Sequence, residues 1–403
     1  MVLKIAIRNM FRQKRRTALT SLTMLGGFVL AAVSIGWSDG TYSYIINMFT
    51  SDRLGQIQIH RAGYMDEPSI YDRIQDYKKI GQIIQTVEGV KRWAPRVYTA
   101  GLVSMGDKTA GARLIGMDPE REEAATGFNR KVVEGKPLSN TPYEALLGKG
   151  LARILGARIG DGIVLLTQAA DGSMANDIFN VTGLVDTGDA TSDRMGLYLN
   201  LTDAQKFLVI GEEVHEIIII VDDLKQVPEI VQSIRNRLDD PDLEVLPWQE
   251  FASSFYKAMK ADQAGMWIML FIIILIVAVG VLNTVLMSVL ERRREYGLLK
   301  AIGTRPAMIV HLVLMELLVL VLISVSLGGV LSLGVNWVIS IHGIPMPLEV
   351  TYGGIAFDRM YTEINARSLY IPAVTVILSA LLVGFFPALK AARTEPARAM
   401  RTF

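Results

Sequence analysis

The chain of 403 residues contains no cysteine. That excludes disulfides, a thiolate nucleophile and any cysteine-ligated metal centre. It has only four histidines, His60, His215, His311 and His342. None has a second histidine or carboxylate at a metal-ligand spacing such as H-E-x-x-H, so no metal site is expected. The chain also lacks a surplus of either charge, with 41 Lys and Arg against 40 Asp and Glu. Without a basic field, no nucleic-acid partner is expected. A phosphate loop is missing too: Leu147-Gly-Lys-Gly150 has neither the upstream glycine nor the Ser or Thr after its lysine. Asn180-Val-Thr182 and Asn200-Leu-Thr202 match glycosylation acceptors, a pattern with meaning only in a eukaryotic secretory setting. Nothing points to a catalytic group, so the expectation is no enzyme activity and no cofactor in this chain.

What is present is apolar surface in membrane-length runs. Apolar residues make up 51% of the chain and charged residues 20%, the mixture of a membrane protein carrying a sizeable soluble domain. Residues 1–16 place Leu3, Ile7, Met10 and Phe11 on one helical face and Lys4, Arg8 and Arg12 on the other, the pattern of a cytoplasmic interfacial elbow helix. Residues 17–37 are free of charge, about the 20 residues that span a bilayer, and form the first expected transmembrane helix; no small-x-small cleavage site follows to make it a signal peptide. The other expected spans are 265–290, 308–341 and 369–389. Lys and Arg gather at the same ends of these spans, which puts both termini and the 291–307 connection in the cytoplasm and the 38–264 region outside.

Small residues recur every fourth position in these spans. Gly27 and Ala31 in the first, Ser324, Gly328 and Ser332 in the third, and Ala380 and Gly384 in the fourth predict faces where helices approach closely. Glu316 is an ionisable residue inside the third apolar run, which reads either as a transport residue or, lying near the basic end of that span, as a partner of Arg293, Lys300 or Arg305.

The outside region alternates strand and helix patterns without a regular repeat, an α+β domain with two subdomains. Strands are expected at 56–60, 96–105, 113–117, 163–167 and 178–185, with 216–221 as the last. Helices are expected at 74–87 and 226–238, and 148–162 is expected to carry another, closed by a glycine turn. Tyr42, Ile45, Ile46 and Phe49 carry the first helix past the bilayer as a stalk. From Pro247 a helix bearing Phe251, Phe255, Ala258 and Met259 on one face runs into the second span without a breaker. The 342–368 segment, with prolines and Gly353-Gly354, reads as a small cap or loop, and 390–403 as a cytoplasmic tail. Tyr42, Ile46, Met48, Phe49, Phe255, Met259 and Met266 form an aromatic and methionine stripe. It reads either as packing between two stalk helices or as the wall of a cargo cleft open to lipid, where soft side chains suit a varied acyl chain.

The most concentrated signal is Glu291-Arg-Arg-Arg-Glu-Tyr-Gly-Leu-Leu-Lys-Ala-Ile-Gly-Thr-Arg-Pro306, a short charged stretch between two apolar runs. It resembles the coupling segment of the FtsX-like permeases. The tail from Phe386 to Arg401 is similar to the C-terminal signature of that family. Ile115-Gly-Met-Asp-Pro119, Leu147-Gly-Lys-Gly-Leu-Ala152, Leu155-Gly-Ala-Arg-Ile-Gly-Asp161 and Phe179-Asn-Val-Thr-Gly183 resemble the periplasmic core of MacB and the lipoprotein-releasing (Lol-type) permeases.

The resemblance implies a dimeric type VII ABC transporter permease in the bacterial inner membrane. Two copies of a separate ATPase would bind ATP and Mg. Glu291, Arg292, Arg293, Arg294, Glu295, Gly297, Lys300, Ala301, Gly303, Thr304, Arg305 and Pro306 would form the ATPase-coupling site. ATP closure would be transmitted through the stalks to the periplasmic domain. The implied partners are a second permease copy or paralogue, a periplasmic lipoprotein cargo, a periplasmic chaperone and membrane lipids. Lipoprotein release is the leading expectation. Alternatives are a MacB-like exporter of peptides or drugs and an FtsX-like regulator of periplasmic cell-wall hydrolases. The lipoprotein-releasing subunit that recruits the chaperone carries an extended hook between two strands, whereas the equivalent 167–177 loop here is short.

Overall fold

The computed structural model describes residues 14–352 and 355–395. Most of the expected elbow helix and the end of the tail lie outside the described residues, as does Gly353-Gly354. In chain order, helix α1 (Lys14–Phe49) passes into a π-helical turn (Thr50–Leu54), then β1 (Ile57–Arg61) and α2 (Tyr77–Gln85). Next come β2 (Val90–Met105), β3 (Lys108–Met117), α3 (Pro119–Thr126) and β4 (Val132–Gly135). They are followed by β5 (Glu144–Gly148), α4 (Lys149–Leu155), β6 (Gly162–Gln168) and β7 (Met174–Val185). The domain closes with α5 (Ala190–Met195), β8 (Gly196–Asn200), α6 (Leu201–Phe207), β9 (Glu216–Val221), α7 (Val227–Leu238) and β10 (Leu243–Pro247). After the short α8 (Trp248–Phe251) come α9 (Ser253–Glu291), α10 (Arg293–Ala301) and α11 (Pro306–His342). The strands β11 (Ile344–Tyr352) and β12 (Ile355–Met360) precede α12 (Arg367–Ala392).

The chain divides into two compact units. The αβ unit (Ile45–Lys257 with Pro347–Asp358) is built on a ten-stranded sheet in the order β10-β1-β9-β2-β3-β8-β5-β7-β4, with β6 pairing β2 and β7. The long β2 is shared by two lobes. Its first half pairs β9, and its second half pairs β3 and β6. β9 sits deep in the sheet and is buried along its whole length, with a continuous apolar run from Ile217 to Val221 after Glu216. Helices α2 and α7 cover this lobe through one face each: Tyr77, Ile80 and Ile84 in α2, and Val227, Ile230, Val231 and Ile234 in α7. In the other lobe Asp118 caps α3 with Pro119 in its first turn, and Asp189 caps α5, so each start is written in sequence. The β6–β7 hairpin closes through residues 169–173, with Asp171 accepting from both the amide and the hydroxyl of Ser173.

Three sequence expectations change here. The 216–221 strand is not the last, because β10 returns antiparallel to β1. The helix beginning near Pro247 is interrupted at Ala252 (φ −105°, ψ 40°), which separates α8 from α9. The 342–368 segment, read as a small cap or loop, gains regular structure, with β11 and β12 paired as a two-stranded sheet.

The helical unit consists of the described residues of Met1–Tyr44, Ala258–Met346 and Arg359–Phe403. Among the described residues, four helices are long and apolar enough to cross a membrane: Thr17–Leu54, Ser253–Glu291, Pro306–His342 and Arg367–Ala392. Small residues mark close approaches within the unit. A Cβ on Gly27 would fall 2.0 Å from Val277 Cγ2, one on Gly328 2.8 Å from Phe28, and one on Gly384 2.2 Å from Leu317 Cδ2. Ala31, Ser324, Ser332 and Ala380 are fully buried, and the Ser21 and Ser324 hydroxyls hydrogen-bond at 2.8 Å. Val330, Leu382 and Phe271 instead point outward, as lipid-facing side chains do.

The adjacent Gly26 and Gly27 provide a controlled test, because a Cβ on Gly26 meets nothing within 4 Å. Gly27→Val is expected to destabilise the helical unit by about 1–3 kcal/mol through overpacking. Gly26→Ala is expected to be neutral or to stabilise by up to about 1 kcal/mol through helix propensity. Thermal unfolding of the reconstituted variants distinguishes the two, and equal melting temperatures would remove the packing argument.

Candidate functional site

The charged stretch between α9 and α11 folds as a short helix with a defined stop. α9 ends at Glu291, Arg292 leaves helical geometry (φ −94°, ψ 17°), and α10 runs for nine residues. Its end is a Schellman motif: Gly303 N–H donates to Lys300 O (3.0 Å) and Thr304 N–H to Leu299 O (3.0 Å). Gly303 takes φ +95°, a conformation that a side chain disfavours. Arg305 is extended and Pro306 opens α11, where its missing N–H costs nothing.

Three side chains clamp α10 in place. Arg292 donates to Glu295 (2.9 Å) and to Glu316 of α11 (2.7 Å), and its guanidinium lies 5.3 Å from the centre of the Tyr296 ring. Tyr296 is 1% exposed and belongs to the buried cluster that includes Val289 of α9, Ile309 and Val313 of α11, and Ala388 and Ala391 of α12. Lys300 Nζ donates to the carbonyls of Ala392 (3.0 Å) and Thr394 (2.9 Å), a cation at the C-terminal end of α12. The expected partner of Glu316 is therefore corrected: it is Arg292, not Arg293, Lys300 or Arg305. Arg292 sits where α9 turns into α10 and reaches back onto α11, a contact between residues 24 apart in sequence.

The opposite face of α10 is open. Leu298 is 58% exposed and Ile302 73%, with Arg293, Arg294, Ala301 and Arg305 exposed around them. Glu291 is exposed, while Gly297 is buried against the bundle beside Tyr296. This side of the segment therefore presents an apolar pair rimmed by arginines. Tyr296, Leu298 and Ile302 are absent from the expected coupling residues. Their spacing is the available signal: Leu298 and Ile302 share a face at i, i+4, and Tyr296 lies on the other, buried side.

The aromatic and methionine stripe divides between the two units. In the helical unit Tyr42 is buried and donates to Asp262 of α9, and Met259 is 3% exposed while Met266 is half-buried. In the αβ unit Phe49 stacks on Phe255 with ring centres 4.3 Å apart and planes 7° from parallel. Phe255 also meets the edge of Trp248, and Ile46 and Met48 are half-buried. Of these seven residues, the structure brings Phe49 and Phe255 into direct stacking.

Buried charge also concentrates in the αβ unit. Arg96 of β2 forms a two-point pair with Glu122 of α3 (3.0 and 2.6 Å) and reaches Glu216 of β9 at 3.5 Å. No metal-holding group of three or more carboxylates and histidines occurs among the described residues.

Comparison with known proteins accounts for both units. The MacB-like periplasmic core domain family matches residues 17–237, and the FtsX-like permease C-terminal family matches residues 267–396. The chain belongs to the MacB/FtsX-like permease family. It is 21% identical over 410 residues to the lipoprotein-releasing system transmembrane protein LolC of Neisseria meningitidis, covering 98% of each chain. It is 24% identical to a macrolide export ATP-binding/permease protein MacB of Yersinia pestis, covering 98% of this chain and 57% of that protein. It is 33% identical over 183 residues to the ABC transporter permease YtrF of Bacillus subtilis, 43% of this chain and 40% of that one. Among solved structures, the periplasmic region of MacB from Actinobacillus actinomycetemcomitans overlays with a TM-score of 0.37 at 14% identity, over 50% of this chain and 92% of that chain. This permease is thus an ABC transporter membrane component of the MacB/FtsX/LolC type, with four membrane-length helices and a MacB-like periplasmic domain.

Proposed function

We propose that this permease couples ATP hydrolysis by a separate cytoplasmic ATPase to the extraction of lipidated or hydrophobic cargo on the far side of the bacterial inner membrane, lipoprotein release being the specific form. The observation that carries the coupling half is the clamped, outward-facing α10. Its exposed Leu298 and Ile302 suit a hydrophobic socket on a partner, and its anchors reach α9, α11 and α12 at once. Load applied there is shared by three membrane-length helices. The LolC relative, aligned over 98% of both chains, supports the lipoprotein reading. The short β6–β7 turn supports assigning chaperone recruitment to a partner permease subunit rather than to this chain.

A MacB-like export role is the second reading, favoured by the macrolide-export relatives that also align over 98% of this chain. Purification of the tagged permease from its native membrane in mild detergent, followed by mass spectrometry, separates the two. The expected result is an ABC ATPase in equal number with the permease, together with acylated lipoproteins. Recovery of unacylated peptides or drugs in place of lipoproteins, of cell-wall hydrolases, or of no ATPase would overturn the proposal.

A further inference from the structure

The αβ unit contains a cleft of about 520 Å³ between β1, the 62–76 connection and the β2–β3 hairpin, a size in the range of small-molecule sites, about 300–1,000 Å³. Its floor is aromatic. Tyr64 stacks on His60 with ring centres 4.9 Å apart and on His215 at 6.0 Å, each pair within 11° of parallel. Both histidines are fully buried, and burial pushes the His215 imidazole below its usual pKa, towards the neutral form.

His215 also holds the roof. Its Nδ1 accepts from the Tyr98 amide (2.9 Å), which leaves the proton on Nε2 to be donated to the carbonyl of Ile70 (3.2 Å). A bridge between Ile74 and Val214 pins the same connection a second time. The cleft is therefore preformed rather than dependent on a mobile loop.

The walls are mainly apolar, from Leu54, Met65, Pro68, Ile70, Met195 and Phe251. Met65 and Met195 are 40% and 45% exposed, adaptable side chains in an unusually open setting. Two charged residues decide the ligand. Glu216, the carboxylate of the lining, is 5% exposed and already accepts from the Tyr98 hydroxyl (2.7 Å) and Arg96 (3.5 Å). Arg113 is exposed, rests 5.0 Å over the Tyr98 ring, and makes no ion pair among the described residues. Glu216 is thus held by a hydroxyl and by an arginine that it shares with Glu122, and the positive charge with no ion-pair partner among the described residues sits beside apolar walls.

We propose that this cleft binds a single-chain carboxylate amphiphile of the fatty-acid class, with its alkyl chain along the methionine-lined wall and its head group on Arg113. The guanidinium matches a carboxylate with two parallel donors. One alkyl chain suits the volume, whereas the paired chains of a diacyl phospholipid do not. This site lies within the αβ unit and is independent of the cargo route proposed above.

The absence of cysteine makes a direct test available. The full chain in nanodiscs carries Met195→Cys labelled with a polarity-sensitive dye, and a control carries the same dye at Lys225→Cys, an exposed position outside the cleft. Dodecanoate, titrated below its micelle concentration, is expected to give a saturable blue shift at position 195 alone. Arg113→Gln is expected to weaken that binding about tenfold, the value of a charge-assisted contact, while Arg113→Lys recovers part of it. Ser69→Trp, which fills the cleft from its roof, is expected to abolish the shift and stands as the test should Arg113→Gln fail to fold. No saturable shift, an unchanged affinity in Arg113→Gln, an unchanged shift in a folded Ser69→Trp, or tighter binding of lysophosphatidylglycerol or an apolar peptide than of dodecanoate would overturn the proposal.

Discussion

Arg96→Met is expected to destabilise the αβ unit by about 3–5 kcal/mol, because it leaves the buried Glu122 without its counter-charge. For a domain of this size that is a fall in melting temperature of about 10 °C. Arg96 and Glu122 side chains are 8% and 1% exposed, so water cannot replace the lost partner. The pair joins α3 to β2, and the contact with Glu216 extends it to β9. The whole network therefore ties elements on both sides of the strand shared by the two lobes. The contrast is Lys78–Glu212, with a shorter contact than Arg96–Glu216 but side chains 63% and 78% exposed. Lys78→Met should cost less than about 1 kcal/mol. Pairing Arg96→Met with Glu122→Leu should recover much of the loss, since the unpaired charge is then absent.

The same network sets an acid limit. Burial opposes ionisation of Glu122, but the Arg96 guanidinium and the Thr126 hydroxyl override it and hold the carboxyl below its ordinary value of 4.5. A depressed folded-state pKa means that the unfolded chain binds the proton more readily. This contribution to stability is thus complete above the unfolded value and is lost as pH falls through the folded one. Melting temperatures measured from neutral pH down through this range should fall more steeply for the parent than for Glu122→Gln. Parallel curves would show that Glu122 is not the responsible carboxyl.

The legible parts of this fold were those written locally. Bilayer-length apolar runs identify the four long helices, the glycines at i, i+4 spacing coincide with positions where a neighbour leaves no room for a larger side chain, and the serines of the same pattern are buried. The stop of α10 was equally local, in Gly303 and Pro306. What sequence pattern missed had either no local mark or a misleading one. The break at Ala252 involves neither glycine nor proline. β11 contains Pro345 and Pro347, which read as loop, and β10 is five residues long and ends on a proline. The Arg292–Glu316 pair and the cleft below the 62–76 connection are tertiary. The cleft gathers Leu54, Tyr98, Met195 and Phe251, which no spacing rule connects.

Ile302→Asp is expected to abolish ATP-driven transport while leaving the permease inserted and folded. Ile302 is 73% exposed and Leu298 58%, so neither supports the bundle. Burying such a side chain in a partner's socket is worth about 1.5–3 kcal/mol, and an unpaired carboxylate there adds a further desolvation cost. ATPase affinity should fall by about a hundredfold or more, measured by co-purification or by titration of the ATPase onto nanodiscs. Gly303→Leu should act less directly. A non-glycine residue at φ +95° strains the Schellman stop by about 1–3 kcal/mol and misplaces Ile302 without altering its chemistry. Lys300→Met separates docking from transmission. Its ammonium faces the end of α12 rather than the exposed side of α10. That variant should bind the ATPase nearly as well as the parent yet transport poorly, with ATP turnover no longer matched to cargo release. If Lys300→Met transported normally, the clamp on α12 would be structural only, and the load would have to pass through Arg292 and Tyr296 into α9 and α11.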